Sequence, residues 1–477
     1  MNEDAIVFRS TKRSVGRSLL SSGIGPLLAQ GLTIALLPVL YRLYRPEDFG
    51  VWATIQALAL VAGALVSLRF DLALVIEKEA ASAAQLLIAI LAVVLLCSLA
   101  IGLLLVLAFG WLRVLDIDGP ATVLGWIWLL AVGVGVALQG WMMRDAAFGL
   151  ISMSVVLNAL TTNLVQIVGG FSRQGVWLII GSLAGQLAAI LLLGWYVWKQ
   201  GGLRGVRPDP HVMWAALKQH RRFPQLSLPF TVLSLVRERA PIFIIGAFFS
   251  ASVVGLYSQA WRLTHFPSGF TSAAFRPVFF HRTVAEGLSA QGSIIERLVR
   301  ALLIICSGWV GVVIFGYNDL FTLGLGSKWN GAGVFAAMLL VPATFFMISN
   351  WMDRLLDAVG RQDLNLKMEM VAGLTSTGLL WGTLAAGGGV TLAVLLQSIA
   401  LTGSYLAFLW ICYGVAGWSR GNLVASVCVA SSISAAMYMA MMGLSQLFPH
   451  LAVLAIGIAV SAGVTGAMIM TIRRHLA

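Results

Sequence analysis

Charge is what this chain has least of. Only 10% of its 477 residues are Asp, Glu, Lys or Arg, while 59% are hydrophobic, and the mean hydropathy is +0.91. A soluble protein carries roughly 25% charged residues, so a soluble enzyme is excluded. Cysteine is nearly as scarce. Cys97, Cys306, Cys412 and Cys428 all lie in apolar runs without CxxC or Cys/His spacing, and they read as small core residues, neither disulfides nor metal ligands. Long polar segments are missing as well: a membrane-spanning helix with its turn takes about 34 residues, so about fourteen spans use up the length and leave no extramembrane domain. P-loop, HExxH and paired-carboxylate motifs do not occur, which disfavours nucleotide-driven transport and hydrolysis. No cofactor or metal is expected.

What the chain does have is a succession of apolar windows of about 20 residues. They fall near 19–44, 50–76, 84–109, 122–143, 148–170, 175–198, 225–249, 252–280, 298–322, 331–356, 366–386, 389–414, 421–444 and 451–472. The first run is too long for the core of a cleaved signal and is read as a retained helix. The expected fold class is an all-α polytopic membrane protein. A cytoplasmic segment 1–18 precedes an N-lobe of six helices over 19–198, a polar linker over 199–224, a C-lobe of six helices over 225–414, and two further helices with a short tail over 415–477.

Basic residues set the orientation, because Lys and Arg beside a span resist translocation. With the N-terminus in the cytoplasm, 21 of the 31 basic residues fall on that side and five on the other. Both termini are therefore expected in the cytoplasm. The net charge of +12 is mostly topological and needs no nucleic-acid partner. The linker holds Lys199, Arg204, Arg207, Lys218, Arg221 and Arg222, which would keep it inside or meet anionic lipid headgroups.

The two six-helix blocks also repeat one another. Gly50-Val51-Trp52 matches Gly255-Leu256-Tyr257 at an offset of 205, with Leu58 on Leu263, Ser67 on Ser272 and Phe70 on Phe275. Trp141-Met142-Met143-Arg144 matches Trp351-Met352-Asp353-Arg354 at an offset of 210. Blocks with an even number of spans share one topology, so the lobes are expected to be related by a pseudo-twofold axis along the membrane normal.

The stretch from Ser18 to Ile76, with Tyr44-Arg45-Pro46-Glu47-Asp48-Phe49-Gly50 and Leu68-Arg69-Phe70-Asp71-Leu72-Ala73, resembles the polysaccharide-transporter branch of the multidrug/oligosaccharidyl-lipid/polysaccharide exporter superfamily, the O-antigen and exopolysaccharide flippases. Val254-Gly255-Leu256-Tyr257 and Leu356-Asp357-Ala358-Val359-Gly360-Arg361 continue the likeness. The resemblance implies a protein of the bacterial cytoplasmic (inner) membrane that moves oligosaccharides carried on polyprenyl diphosphate, for O-antigen, capsule or exopolysaccharide synthesis. It implies a polysaccharide polymerase and glycosyltransferases as pathway partners, and a role for the last two helices in holding the polyprenyl tail.

Charges inside the membrane are costly and mark candidate sites. Away from the span ends, five arginines, Arg69, Arg237, Arg239, Arg262 and Arg276, oppose Asp71 and Glu238, a net of +3. Such a core attracts an anion, and guanidinium forks suit a diphosphate. Arg237 lies about 18 Å into its span and Arg262 about 15 Å into the next from the opposite side, so both reach the middle. Arg69 and Arg276 lie nearer the cytoplasm, and the set suggests a graded cationic path. Arg237 and Arg239 point about 200° apart, and neighbouring Glu238 and Pro241 suggest that one of them is paired structurally. Gln259 and His265, three residues either side of Arg262, share its face and make it the leading lumen stripe. Asp71 reads as a counter-ion to an arginine or as a carrier of a coupling proton. Gln30 and Gln56 would bind sugar hydroxyls or neighbouring helices. Prolines at Pro26, Pro38, Pro229, Pro241, Pro267 and Pro277 are hinge candidates. The competing function is a cation-coupled multidrug or small-molecule antiporter of the same superfamily, which would favour acidic mid-membrane residues, and the N-lobe spans offer only Asp71. A membrane polymerase or ligase would need a substantial outer loop, and the sequence offers none.

Overall fold

The structure, a computed structural model, describes residues 25–77, 79–107, 117–201, 203 and 206–476. The segment 1–18 with Arg9, Lys12, Arg13 and Arg17, the start of the first apolar run, Lys78, Arg113 and Arg204 lie outside the described residues. The chain is all-helical, with no strand among the described residues. In order the helices are α1 (Gly25–Leu43), α2 (Pro46–Val66), α3 (Asp71–Ile76), α4 (Ala80–Leu107), α5 (Gly119–Arg144), α6 (Phe148–Gly170), α7 (Val176–Lys199), α8 (Pro210–Gln219), α9 (Leu228–Phe248), α10 (Ala251–Glu286), α11 (Gly292–Leu325), α12 (Asn330–Ala358), α13 (Gln362–Ala385), α14 (Val390–Ala416), α15 (Arg420–Leu444) and α16 (His450–Leu476). Ten helical segments of the described residues are long and apolar enough to cross a membrane.

Local sequence explains where the helices begin and end. Asp118 caps α5 by accepting from the Ala121 N–H at 2.8 Å, with Pro120 in the first turn. Ser419 accepts from the Asn422 N–H at the start of α15, and Gly417, at φ +71°, ends α14 in the left-handed conformation that glycine adopts without strain. Burial is inverted relative to a soluble helix. On α4 Leu95, Leu96, Leu99, Leu103, Leu104, Val106 and Leu107 are exposed, while Ala83, Ala84, Ala89 and Ser98 are buried among Leu86, Leu87, Ile90 and Val94. Small residues at the packed face let helices approach when the surroundings are as apolar as leucine.

One sequence expectation changes, and one segment gains detail. The span expected over 50–76 is two helices: α2 stops at Val66, and Leu68 (φ +47°) and Arg69 (φ +60°) turn the chain before α3 begins at Asp71. Nothing in Ser67-Leu68-Arg69-Phe70 signals a break, because neither glycine nor proline is present. The linker of 199–224 is also not wholly irregular. It contains the ten-residue α8, and a π-helical turn over Phe223–Ser227 leads into α9.

The chain forms two compact units, one ending at Gly255 and one beginning at Leu256. In the first unit α6 and α7 pack closely. Asn158, Thr162 and Gln166 recur every four residues along α6, and Gly181 and Gly185 of α7 come so near them that a Cβ at either glycine would collide. The second unit is held by an aromatic core. Trp351 and Tyr413 are fully buried, Phe279 stacks on Trp351 at 5.2 Å, and Phe275 meets the same indole edge-on at 5.4 Å. His450, at the start of α16, reaches Asp319 of α11 at 2.6 Å and stacks on Phe315.

Candidate translocation site

Arg69, Arg239 and Arg276 are each held in an ion pair. Arg69 sits in the strained turn between α2 and α3, where its Nη1 meets Asp71 Oδ2 at 3.4 Å. Ser67 closes the turn: its Oγ donates to Asp71 Oδ1 at 3.3 Å and accepts from the Arg69 N–H at 3.3 Å. Asp71 is 2% exposed, so its carboxylate is buried against its arginine and serine. A non-glycine residue at positive φ stores strain, which persists only because this cluster over-determines the turn.

Arg276 is tied down more firmly. Its Nη2 lies 2.6 Å from Asp353 Oδ2, its Nε donates to the Asn350 carbonyl at 2.9 Å, and Asn350 Nδ2 donates in turn to Ser272 Oγ at 2.8 Å. This joins α10 to α12. Asp353 and Asn350 lie more than 70 residues from Arg276, so the sequence marks no such pairing. On α9, Arg239 forms an ion pair with Glu238 at 3.0 Å. Arg237 and Arg262 have interaction partners of their own.

The face drawn around Arg262 divides. Gln259 is 1% exposed and His265 is buried, its ring stacked on Trp261 at 3.7 Å and tilted against Phe346. His265 Nδ1 also lies 3.1 Å from the Trp261 carbonyl oxygen. Both residues therefore lie in the packed interior of the second unit, whereas Arg262 is half-buried. Arg262 lies midway between them around the helix, about 60° from each, and of the three it is the one left partly exposed. Gln30 and Gln56 are half-buried.

Sequence reasoning missed a polar spine inside the first unit. Tyr44 Oη donates to the Gln166 carbonyl at 2.6 Å, Gln166 Nε2 to the Leu178 carbonyl at 2.8 Å, and Trp52 Nε1 to Ser182 Oγ at 2.9 Å. Asn158 Nδ2 donates to Gln186 Oε1 at 3.0 Å, and Asn163 Nδ2 to Thr33 Oγ1 at 3.2 Å. The signal was available: amide and hydroxyl side chains every four residues on α6, facing Gly181-Ser182-Leu183-Ala184-Gly185 on α7.

The repeat glycines meet at one crossing of the first unit. A Cβ on Gly50 would strike the carbonyl of Ala251, and one on Gly255 would strike the carbonyl of Pro46. Pro46 and Ala251, like Gly50 and Gly255, are 205 positions apart, so the contact is self-complementary. Beside it lies a cleft of about 400 Å³ lined by Glu47, Asp48, Asp118, Gly175, Ser250 and Ser252. Asp48 and Asp118 already accept from the backbone N–H groups of Arg45 and Ala121. Three carboxylates repel a phosphate, so this cleft is not a diphosphate site.

Comparison with known proteins gives the family. The family described as polysaccharide biosynthesis protein matches residues 39–332. No curated protein matches by sequence. Among solved structures, the lipid II flippase MurJ in an inward closed conformation is similar over 96% of this chain and 98% of its own, with a TM-score of 0.72 and 13% identity. An inward-facing multidrug resistance MATE family transporter of the MOP superfamily is similar over 81% of this chain and 93% of its own, with a TM-score of 0.56 and 14% identity. A MOP superfamily transporter from Pyrococcus furiosus, described as having a binding pocket of reverse polarity, follows over 84% and 95% at a TM-score of 0.54 and 12% identity. These likenesses establish the fold, and the chain belongs to the polysaccharide biosynthesis protein family, with the fold of the MOP superfamily transporters.

Proposed function

We propose that the protein is a flippase that carries polyprenyl-diphosphate-linked oligosaccharide across the bacterial cytoplasmic membrane for surface polysaccharide synthesis. The match of residues 39–332 to the polysaccharide biosynthesis family carries this reading. In it the chain spans the membrane fourteen times with both termini in the cytoplasm. The lobes of 19–198 and 225–414 are related by a pseudo-twofold axis and alternate access, and 415–477 attends the lipid tail. Arg262 and Arg237 receive the diphosphate. Arg69, Arg239 and Arg276, each held in an ion pair, add to the positive field around it. The polymerase and glycosyltransferases of the pathway supply and consume the substrate.

The likeness to multidrug transporters supports a second reading, a cation-coupled antiporter. It is disfavoured because Asp71, the carboxylate it would use, is engaged by Arg69 and Ser67. The test is Arg262→Ala and Arg237→Ala in a strain whose surface glycan depends on this gene. Each is expected to lower glycan export at least tenfold at normal protein level. Undiminished export in both would remove the cationic-site proposal.

A further inference from the structure

The linker between the sixth and seventh expected spans carries a feature that transport does not explain. α8 turns one face inward: Met213, Ala216 and Leu217 are partly buried and His220, one residue past its end, is buried, at the i, i+3, i+4, i+7 spacing of a docked helix. Its dock is the start of α4. Gln85 Nε2 donates to the Arg207 carbonyl at 2.7 Å, and His220 Nε2 lies 3.6 Å from a carboxylate oxygen of Glu77. Asp209 caps the helix by accepting from the His211 N–H at 2.8 Å. The helix is therefore fixed in place and is not a loose tether.

The outer side of α8 remains uncovered, and it is both aromatic and basic. Trp214 is 69% exposed and Val212 46%. Trp214 and Lys218 stand at i and i+4 on α8, and Arg221 and Arg222 follow just past its end, all four exposed. At the end of α7, Trp195 and Trp198 are likewise exposed, and Lys199 sits 4.9 Å over the Trp195 ring. Between 199 and 224 the sequence has six basic residues and a single acidic one, Asp209, which is occupied as the helix cap. An exposed indole beside lysine and arginine heads matches a bilayer interface whose headgroups are anionic. The ring sits at headgroup level and each cation adds attraction to the surface.

We infer that α8 and the turn after it form an interfacial segment that docks, through Trp214, Lys218, Arg221 and Arg222, on anionic phospholipid headgroups of the leaflet facing the linker. The residues flanking the helix are held by Gln85 of α4 and by Glu77 at the end of α3, so the docking ties this corner of the first unit to the bilayer surface. That this leaflet is the cytoplasmic one rests on the topology in the proposed function; the docking itself does not.

The test uses the full chain reconstituted in nanodiscs of phosphatidylcholine alone and of phosphatidylcholine mixed with phosphatidylglycerol, read by amide hydrogen exchange over 207–222. Exchange of α8 is expected to slow in the phosphatidylglycerol discs, by about fivefold per basic residue engaged. Lys218→Glu with Arg221→Glu and Arg222→Glu is expected to abolish the difference, and Lys218→Gln with Arg221→Gln to reduce it, with exchange of α5 and α6 unchanged in both. Equal exchange of the wild-type helix in the two discs would overturn the inference, as would a difference that survives the triple variant. Both faces of a disc carry the same lipid, so the result does not depend on orientation or substrate. A failure here leaves the flippase reading intact, and a failure of the export test leaves this one intact.

Discussion

Asp71 and Arg276 occupy the same position of the internal repeat, 205 residues apart, and they carry opposite charge. In the first copy the helix breaks at Leu68 and Arg69, and Asp71 is satisfied within the turn by Ser67 and Arg69. In the second copy α10 runs unbroken from Ala251 to Glu286, and Arg276 reaches across to Asn350 and Asp353 on α12. The partner positions differ to match. Asn350 corresponds to Gly140 of α5, where a Cβ would lie only 2.6 Å from the Asp71 carbonyl oxygen. The next residue, Trp141 in one copy and Trp351 in the other, is buried in both. The repeat thus keeps the helix–helix approach and the tryptophan. It solves the buried charge once locally, with backbone strain, and once by a long-range pair without it.

The sharpest way to break this comparison is to place the residue of one copy in the other. Gly140→Asn forces a side chain against the Asp71 carbonyl and is expected to cost about 3 kcal/mol, the upper range for overpacking, seen as the largest fall in melting temperature in detergent. A melting temperature within a degree of wild type would show that α3 and α5 can separate. Arg276→Ala leaves the one-third-exposed Asp353 without its main partner. It is expected to cost about 2 kcal/mol, between the values for exposed and buried ion pairs. Arg276→Ala with Asp353→Ala should recover part of that loss on the same melting curves. Ser67→Ala removes the hydroxyl that bridges the strained turn and is expected to cost about 1 kcal/mol. If Ser67→Ala costs less than Ser272→Ala, the local solution in the first copy is weaker than argued.

Much of the architecture is legible in the sequence because a membrane helix announces itself by one-dimensional means. Twenty apolar residues are needed whatever surrounds them, and α6, expected over 148–170, lies at Phe148–Gly170. The α2–α3 break is not legible. It depends on the Ser67–Asp71 cluster and on Gly140 making room, and neither is a local propensity. The site was partly legible. The sequence pointed to Arg276 but not to its partner, since the Asp353 carboxylate that holds it belongs to another helix. Gln259 and His265 share a helical face with Arg262 by arithmetic, yet Trp261 and Phe346 bury the histidine.

By itself, then, the sequence determined that this is an all-helical membrane protein, poor in charge and made of successive long apolar runs. These properties follow from composition and period, because water and lipid sort residues one at a time. Only the tertiary structure decided where a helix breaks, which arginines are paired and that the linker folds as a docked helix. Ion pairs and close packing join residues distant along the chain, and their energy depends on distances that no spacing in the sequence specifies.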